Sequence, residues 1–303
     1  MTTPLVSIPV ITYNSSKTVL ETLESIKAQT YQNLELIVSD DCSTDNTVEL
    51  CRNWIEQNKD RFVRTELLTT EKNTGTSANF NRAEAACLGD WVKPIAGDDI
   101  LMPDCIRDCM DYITMHPDTI YLFGRQKAFG ASNERSNEIN AVFDYSFFDL
   151  APDKQLHRLI FDDNCVPATT SFYNRDRAQQ IGVKNDERIP LLEDWPKWIN
   201  LLRAGVKFHF VNKELVKYRV GGVSTASRLN VNMYRSGKLF DFYYRFPDWY
   251  RKNPEAAVKR IVKEEVEIYE CMMESERQLT QLQHSKAYRL GKFLLKPFKW
   301  FKR

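Results

Sequence analysis

LVSIPVITYNSSKTVLETLESIKAQTYQNLELIVSDD, residues 5–41, carries a strand pattern, a helix pattern and a second strand pattern in succession. Leu5 to Thr12 is an apolar, β-rich run without helical period, as expected of a strand buried on both faces. Asn14-Ser15-Ser16 can cap a helix, and Val19, Leu20, Leu23 and Ile26 then recur at helical spacing. LELIVS (34–39) forms the second strand and ends at Asp40-Asp41.

The alternation continues outward. Thr44 or Asp45 starts a helix with Val48, Cys51, Trp54 and Ile55 on its buried side, and Phe62 to Thr69 reads as a third strand. A helix from about Ser77 to Leu88 precedes a strand ending in Gly97-Asp98-Asp99, and Pro103 opens the next helix. Strands alternating with helices predict an α/β fold, a mostly parallel, Rossmann-like sheet flanked by helices on both faces. Ligands of such sheets bind beyond the carboxyl ends of the strands. Thr12-Tyr13-Asn14, Asp40-Asp41 and Gly97-Asp98-Asp99 fall at those ends, either as parts of one site or as turn and cap residues.

Residues 118–173 are less regular. Helical signal returns over Asp153 to Phe161 and Trp195 to Ala204; Gly205 ends the latter, and VKFHFV (206–211) follows as a strand. From about Leu229 the pattern is helical to the end, with Val258, Val262, Val266, Tyr269 and Met273 on one face.

Composition bounds the function. The chain has 303 residues, 43% hydrophobic and 27% charged, with a net charge of +1. That balance suits ordinary globular material and argues against binding nucleic acid over the whole surface. Met1-Thr2-Thr3-Pro4 lacks the basic start of a leader, and no run is apolar enough to span a bilayer. The seven cysteines are scattered without a CxxC pair, so reduced thiols in a cytoplasmic protein are expected. His116, His157, His209 and His284 share no ligand spacing.

Asp98 and Asp99 are adjacent carboxylates at the mouth of a buried strand. They can seat a hard divalent cation, Mg²⁺ or Mn²⁺, or simply cap the helix near Pro103. Glu193-Asp194 can be catalytic or can be helix N-terminal charge.

The order of motifs resembles the family 2 glycosyltransferases, which have the GT-A fold. The resemblance runs through VSIPVITYN (6–14), ESIKAQTYQNLELIVSDDCSTDNT (24–47), NTGTSANFNRA (73–83), GDWVKPIAGDD (89–99), LLEDWPKWINLLRAG (191–205) and YRVGGVS (218–224). It implies a catalytic domain over 1–228, with a nucleotide-sugar half at 1–101 and an acceptor half at 102–228. It also implies an inverting single displacement on a nucleotide diphosphate sugar, a UDP-sugar first among the candidates. Carried over position by position, Asp40 reads the nucleobase, and Thr12, Tyr13 and Asn14 lie beside the base and ribose. Lys72, Asn73 and Gly75 belong to the base-contacting loop. The resemblance puts the metal on Asp98, with Asp99 as second ligand or support. Asp194 becomes the base that takes the acceptor hydroxyl's proton, and Glu193 orients it or contacts the acceptor. Arg219 and Ser224 fall in the closing loop, where Arg219 either meets diphosphate oxygens or pairs with a core carboxylate. The chain departs from the family where Ala96 replaces a carboxylate at the metal site.

The end of the chain, SKAYRLGKFLLKPFKWFKR (285–303), holds seven Lys or Arg and no acid, interleaved with aromatic and aliphatic residues. It reads as a basic amphipathic segment able to lie on the inner membrane's anionic surface, or as a helix docked on the domain. Residues 229–284 would then be a helical extension that spaces the tail or pairs two copies as a homodimer. Bacterial polysaccharide glycosyltransferases end in a similar run. That similarity implies a polyprenyl-diphosphate-linked saccharide acceptor, O-antigen or capsule synthesis, and a peripheral place on the cytoplasmic face of the inner membrane. Two rivals remain. One is a non-catalytic nucleotide-sugar-binding scaffold. The other is a sugar nucleotidyltransferase, which should carry a glycine-rich loop where this chain has TYNSSKT.

Overall fold

The structure is a computed structural model that describes residues 3–130, 136–137, 140, 143–189, 191–220 and 231–255, with isolated positions 259, 263, 274 and 277. Ser224 and the 285–303 tail lie outside the described residues. The chain divides into two compact units, Met1–Arg245 and Phe246–Arg303. In the second, a helix covers Phe246–Lys252.

The first unit is built on one nine-stranded sheet. Its strands are β1 (Val6–Thr12), β2 (Leu34–Asp40), β3 (Arg64–Thr69), β4 (Trp91–Val92), β5 (Ile95–Ala96), β6 (Ile100–Leu101), β7 (Tyr121–Phe129), β8 (Phe172–Asn174) and β9 (Phe208–Arg219). The order is β3-β2-β1-β4-β8-β7-β9-β6, with β5 paired beside β4 on β1. The β3-β2-β1-β4 end is parallel, as expected. Beyond it β8 runs antiparallel to both β4 and β7, β9 is parallel to β7, and β6 is antiparallel to β9.

The parallel end follows from period-two patterning. Val6, Ile8 and Val10 of β1 and Leu34, Leu36 and Val38 of β2 share one core with Val19, Leu23 and Ile26 of helix α1 (Val19–Lys27). Helix α2 (Thr47–Asn58) adds Cys51 and Trp54 to that core. Each fully buried aliphatic side chain contributes roughly 1.5–3 kcal/mol. The other face carries helix α3 (Thr76–Ala85), joined to β2 through Asn79 Oδ1, which accepts from Ser39 Oγ at 2.7 Å. Helix α4 (Cys105–Met115) follows β6.

Four local expectations change. Asn14 does not cap α1, which begins after Thr18. Instead Asn14 sits at φ +51°, a left-handed conformation Asn tolerates, and its Oδ1 accepts from Thr44 N–H at 2.8 Å. The run 91–96 splits into β4 and β5 at Pro94, which has no N–H for a ladder. Pro103 lies ahead of α4, not within its first turn. The 206–211 strand extends to Arg219, because its far half finds β6 as a second partner.

Candidate active site

A cavity of about 490 Å³ opens at the carboxyl ends of β1 and β5. On one side it is lined by Thr12, Tyr13, Asp41, Asn73 and Gly75; on its floor by Ala96, Gly97, Asp98 and Asp99; on the far side by Leu191, Glu193, Asp194, Lys197 and Trp198. The three strand-end clusters and the Glu193-Asp194 pair therefore converge on one space.

The β1–β2 side is fixed by two aspartates with different partners. Asp40 is 1% exposed. Its carboxylate accepts from Thr12 Oγ1 at 2.7 Å, Ser43 N–H at 2.8 Å and Ser43 Oγ at 2.6 Å. Its side chain is outside the lining of this cavity, and its hydrogen bonds lock the ends of β1 and β2 together. Asp41, one residue on, does line the cavity. It accepts from Thr74 N–H at 3.0 Å, Gly75 N–H at 2.8 Å and Arg82 Nη2 at 3.2 Å, which pins the 73–75 loop over the strand end. Gly75 has φ +90°, a conformation that glycine adopts without strain. Tyr13 stands 46% exposed at the cavity wall. Asn14 and Lys72 are exposed and do not line it.

The floor is a carboxylate shelf. At Gly97 a Cβ would come within 2.8 Å of Thr12 Cγ2, so only glycine lets the 97–99 turn sit against β1. Asp99 is 1% exposed, and its Oδ1 accepts from Arg219 N–H at 2.8 Å. Burial pushes the Asp98 carboxyl up, and burial with the Asp98 charge beside it pushes Asp99 well up. Beneath them Lys93 is fully buried, its Nζ donating to Pro94 O at 2.8 Å and Thr169 O at 2.6 Å, and burial pushes its ammonium down.

Arg219 is not in the cavity lining. Its Nε donates to Asp98 O at 2.8 Å, its Nη2 pairs with Glu21 Oε2 at 2.6 Å, and its guanidinium lies 4.4 Å over the Phe129 ring. Of the two readings of Arg219, the carboxylate pairing is the one present in the structure, and Arg219 fastens the end of β9 to the 98–99 turn.

On the far side, Asp194 starts the helix Asp194–Arg203. One oxygen accepts from Trp195 N–H at 2.7 Å, the other from Asn164 Nδ2 at 2.8 Å. Burial pushes Asp194 up while these donors hold it down. Glu193 is pushed up to about 8, first by burial and then by the Asp194 charge. Lys197 pairs with Glu84 of α3 at 2.9 Å and lies 5.2 Å from the Tyr173 ring centroid. The sequence reading missed Lys197, Glu84 and Trp198. Lys197 was findable: it falls four residues after Glu193, on the same helix face.

Among the described residues six carboxylates line the cavity (Asp41, Glu84, Asp98, Asp99, Glu193, Asp194) against one ammonium, Lys197. No group of three or more His, Cys, Asp or Glu among them could hold a metal ion unaided. The donor set fits a hard cation that arrives with oxygens of its own, since Asp98 offers the cavity a half-buried carboxylate without a described hydrogen-bond donor from a side chain.

Residues 7–181 match the sequence profile of Glycosyl transferase family 2. The chain is 24% identical over 242 residues to the putative teichuronic acid biosynthesis glycosyltransferase TuaG of Bacillus subtilis, covering 80% of this chain and 88% of that one. It is 34% identical over 109 residues to the chondroitin synthase of Escherichia coli, covering 36% of this chain and 15% of that one. Among solved structures, S. aureus TarS 1-349 in complex with UDP-GlcNAc superposes with a TM-score of 0.61 at 19% identity, over 78% of this chain and 66% of that one. The chain spans less than half of full TarS, 45%. Matched across more than half its length by the family profile and folded like TarS, the chain belongs to glycosyl transferase family 2 and is a glycosyltransferase with the GT-A fold.

Proposed function

We propose that the protein transfers a hexose or N-acetylhexosamine from a UDP-sugar to a polyprenyl-diphosphate-linked saccharide, with inversion, in bacterial surface-polysaccharide synthesis. The observation that carries this reading is the cavity itself, in which Asp98 and Asp194 open from opposite sides onto the same space. The biosynthetic name of TuaG and the UDP-GlcNAc in the TarS structure support the donor class and the polysaccharide setting.

The chain's residues divide the work. Tyr13 offers a half-exposed ring to a base, and the loop held by Asp41 closes the nucleotide end. Asp98, with Asp99 behind it, would hold Mg²⁺ or Mn²⁺ together with the donor diphosphate; when bound, the cation offsets negative charge on the leaving group. An acidic lining around a diphosphate favours such a cation. Asp194 takes the proton of the acceptor hydroxyl as that oxygen attacks the anomeric carbon. Glu193, pushed up to about 8, is protonated near neutral pH and spares Asp194 a neighbouring negative charge. The basic tail (285–303) would bring the enzyme to a lipid-linked acceptor on the cytoplasmic face of the inner membrane.

A panel of nucleotide sugars with Mn²⁺ or Mg²⁺, read by release of nucleoside diphosphate with and without a synthetic diphosphate-lipid acceptor, tests the proposal. One donor should turn over only with metal. Asp98→Asn should abolish turnover, and Asp194→Asn should lower transfer at least ~100-fold while donor binding persists. Binding of a donor without turnover, with neither variant differing from wild type, would favour the scaffold instead.

A further inference from the structure

Asn164 sits in the segment before the 3-10 turn Ala168–Thr170, thirty residues from Asp194 in sequence, and no family motif quoted above contains it. Its Nδ2 donates to Asp194 Oδ2 at 2.8 Å. Its Oδ1 accepts from Val166 N–H at 3.3 Å. That second bond fixes the amide: the oxygen is spent on a backbone N–H, so the NH₂ must face the carboxylate. Asn164 does not line the cavity, whereas Asp194 does. It therefore reaches Asp194 from outside the cavity lining. Trp195 N–H takes the other carboxylate oxygen at 2.7 Å, so each oxygen has one protein donor and one side left for a proton.

We infer that Asn164 is the positioning residue of the catalytic base: its amide holds the Asp194 carboxylate in one rotamer and in its charged form, with the free lone pairs turned to the acceptor. A hydrogen bond to the charged form of an acid favours ionisation, and one that fixes the plane of a carboxylate also aligns it for proton transfer. Trp198 Nε1 is buried near Asp194, outside hydrogen-bond geometry to it, and its N–H favours the same charge. The charged groups nearby are Glu193 and Lys197 on the same helix, Glu84 through Lys197, the Arg158–Asp163 pair that precedes Asn164, and Arg245, whose guanidinium lies 4.4 Å over the Trp195 ring and donates to Asp162 O at 3.0 Å. The described side-chain donor to Asp194 is the neutral amide of Asn164.

The inference rests on Asp194 as base, and the two can fail separately. A turn-forming Asn tolerates Asp, which can accept from the same Val166 N–H. Asn164→Asp thus keeps the local fold but turns a donor toward Asp194 into a second negative charge. With the donor selected by the nucleotide-sugar panel and the synthetic lipid acceptor, Asn164→Asp should raise the acid limb of the kcat profile by about one pH unit or more. It should lower kcat at pH 6.5 about ten-fold, with the donor KM within about two-fold of wild type. Asn164→Ala, which lacks the donor without adding charge, should move the limb the same way by less, and its profile decides the matter if Asn164→Asp does not fold. Wild-type kcat and acid limb in the folded variants would make Asn164 a turn residue only and overturn the inference. Undiminished transfer by Asp194→Asn would instead remove the base itself, and the inference with it.

Discussion

At the residue scale, two neighbouring aspartates show how a single step along a strand end separates structure from binding. Asp40→Ala leaves Thr12 Oγ1 and both Ser43 donors without their acceptor. We expect a loss of about 2–3 kcal/mol in chemical denaturation, with donor affinity reduced only through stability. Asp41→Asn should act the other way, weakening donor binding in calorimetry by roughly ten-fold as the 73–75 loop loosens, because two backbone N–H groups lose a full charge. Glu193 predicts a pH dependence. Its carboxyl ordinarily titrates at 4.5 and in the fold is pushed up to about 8. The folded state then binds more protons than the unfolded one between those values, so stability falls as pH rises through that window. Glu193→Gln should flatten the decline in Tm between pH 5 and 8 and make the variant the more stable protein at pH 8. The letters Asp40-Asp41 and Glu193-Asp194 were legible as site candidates. Which aspartate of the first pair meets the cavity was not, because Cys42 turns the chain at φ +66° and nothing in the sequence announces that turn.

At the element scale, helices deliver side chains that motif reading passes over. Lys197 enters the cavity from the second turn of the Asp194–Arg203 helix and meets Glu84 from α3. Lys197→Met removes the only described cation from the lining and leaves Glu84 charged and nearly buried. A loss of about 3 kcal/mol follows, measurable as a lowered urea midpoint, unless Glu84→Gln accompanies it. The parallel end of the sheet was legible because each β-α-β step carries its own period. The antiparallel strands were not: β8 is three residues long and β6 is two, too short for any alternation to register. Arg219 illustrates the same limit, since a guanidinium near a phosphate site and one that ties two loops look alike in sequence.

For the whole molecule, charge is nearly balanced in total but not in distribution. The cavity gathers carboxylates, while residues 285–303 gather seven cations without an acid. Among the described residues no helix is long and apolar enough to cross a membrane. Deletion of 285–303 should cut sedimentation with anionic phosphatidylglycerol vesicles at least about ten-fold, with wild-type binding itself lost in high salt, while metal-dependent donor hydrolysis continues.

The course of β9 has a further consequence. The strand begins beside β7, in the half expected to serve the acceptor, and finishes against β6, in the half expected to serve the donor. Arg219 then grips the turn between β5 and β6. The nucleotide-sugar half is thus stitched shut by a thread from the other half. A gene cut after Leu101 would leave the first fragment without the strand that backs its Asp98-Asp99 turn, so the sequence boundary between the two halves is not a seam in the sheet.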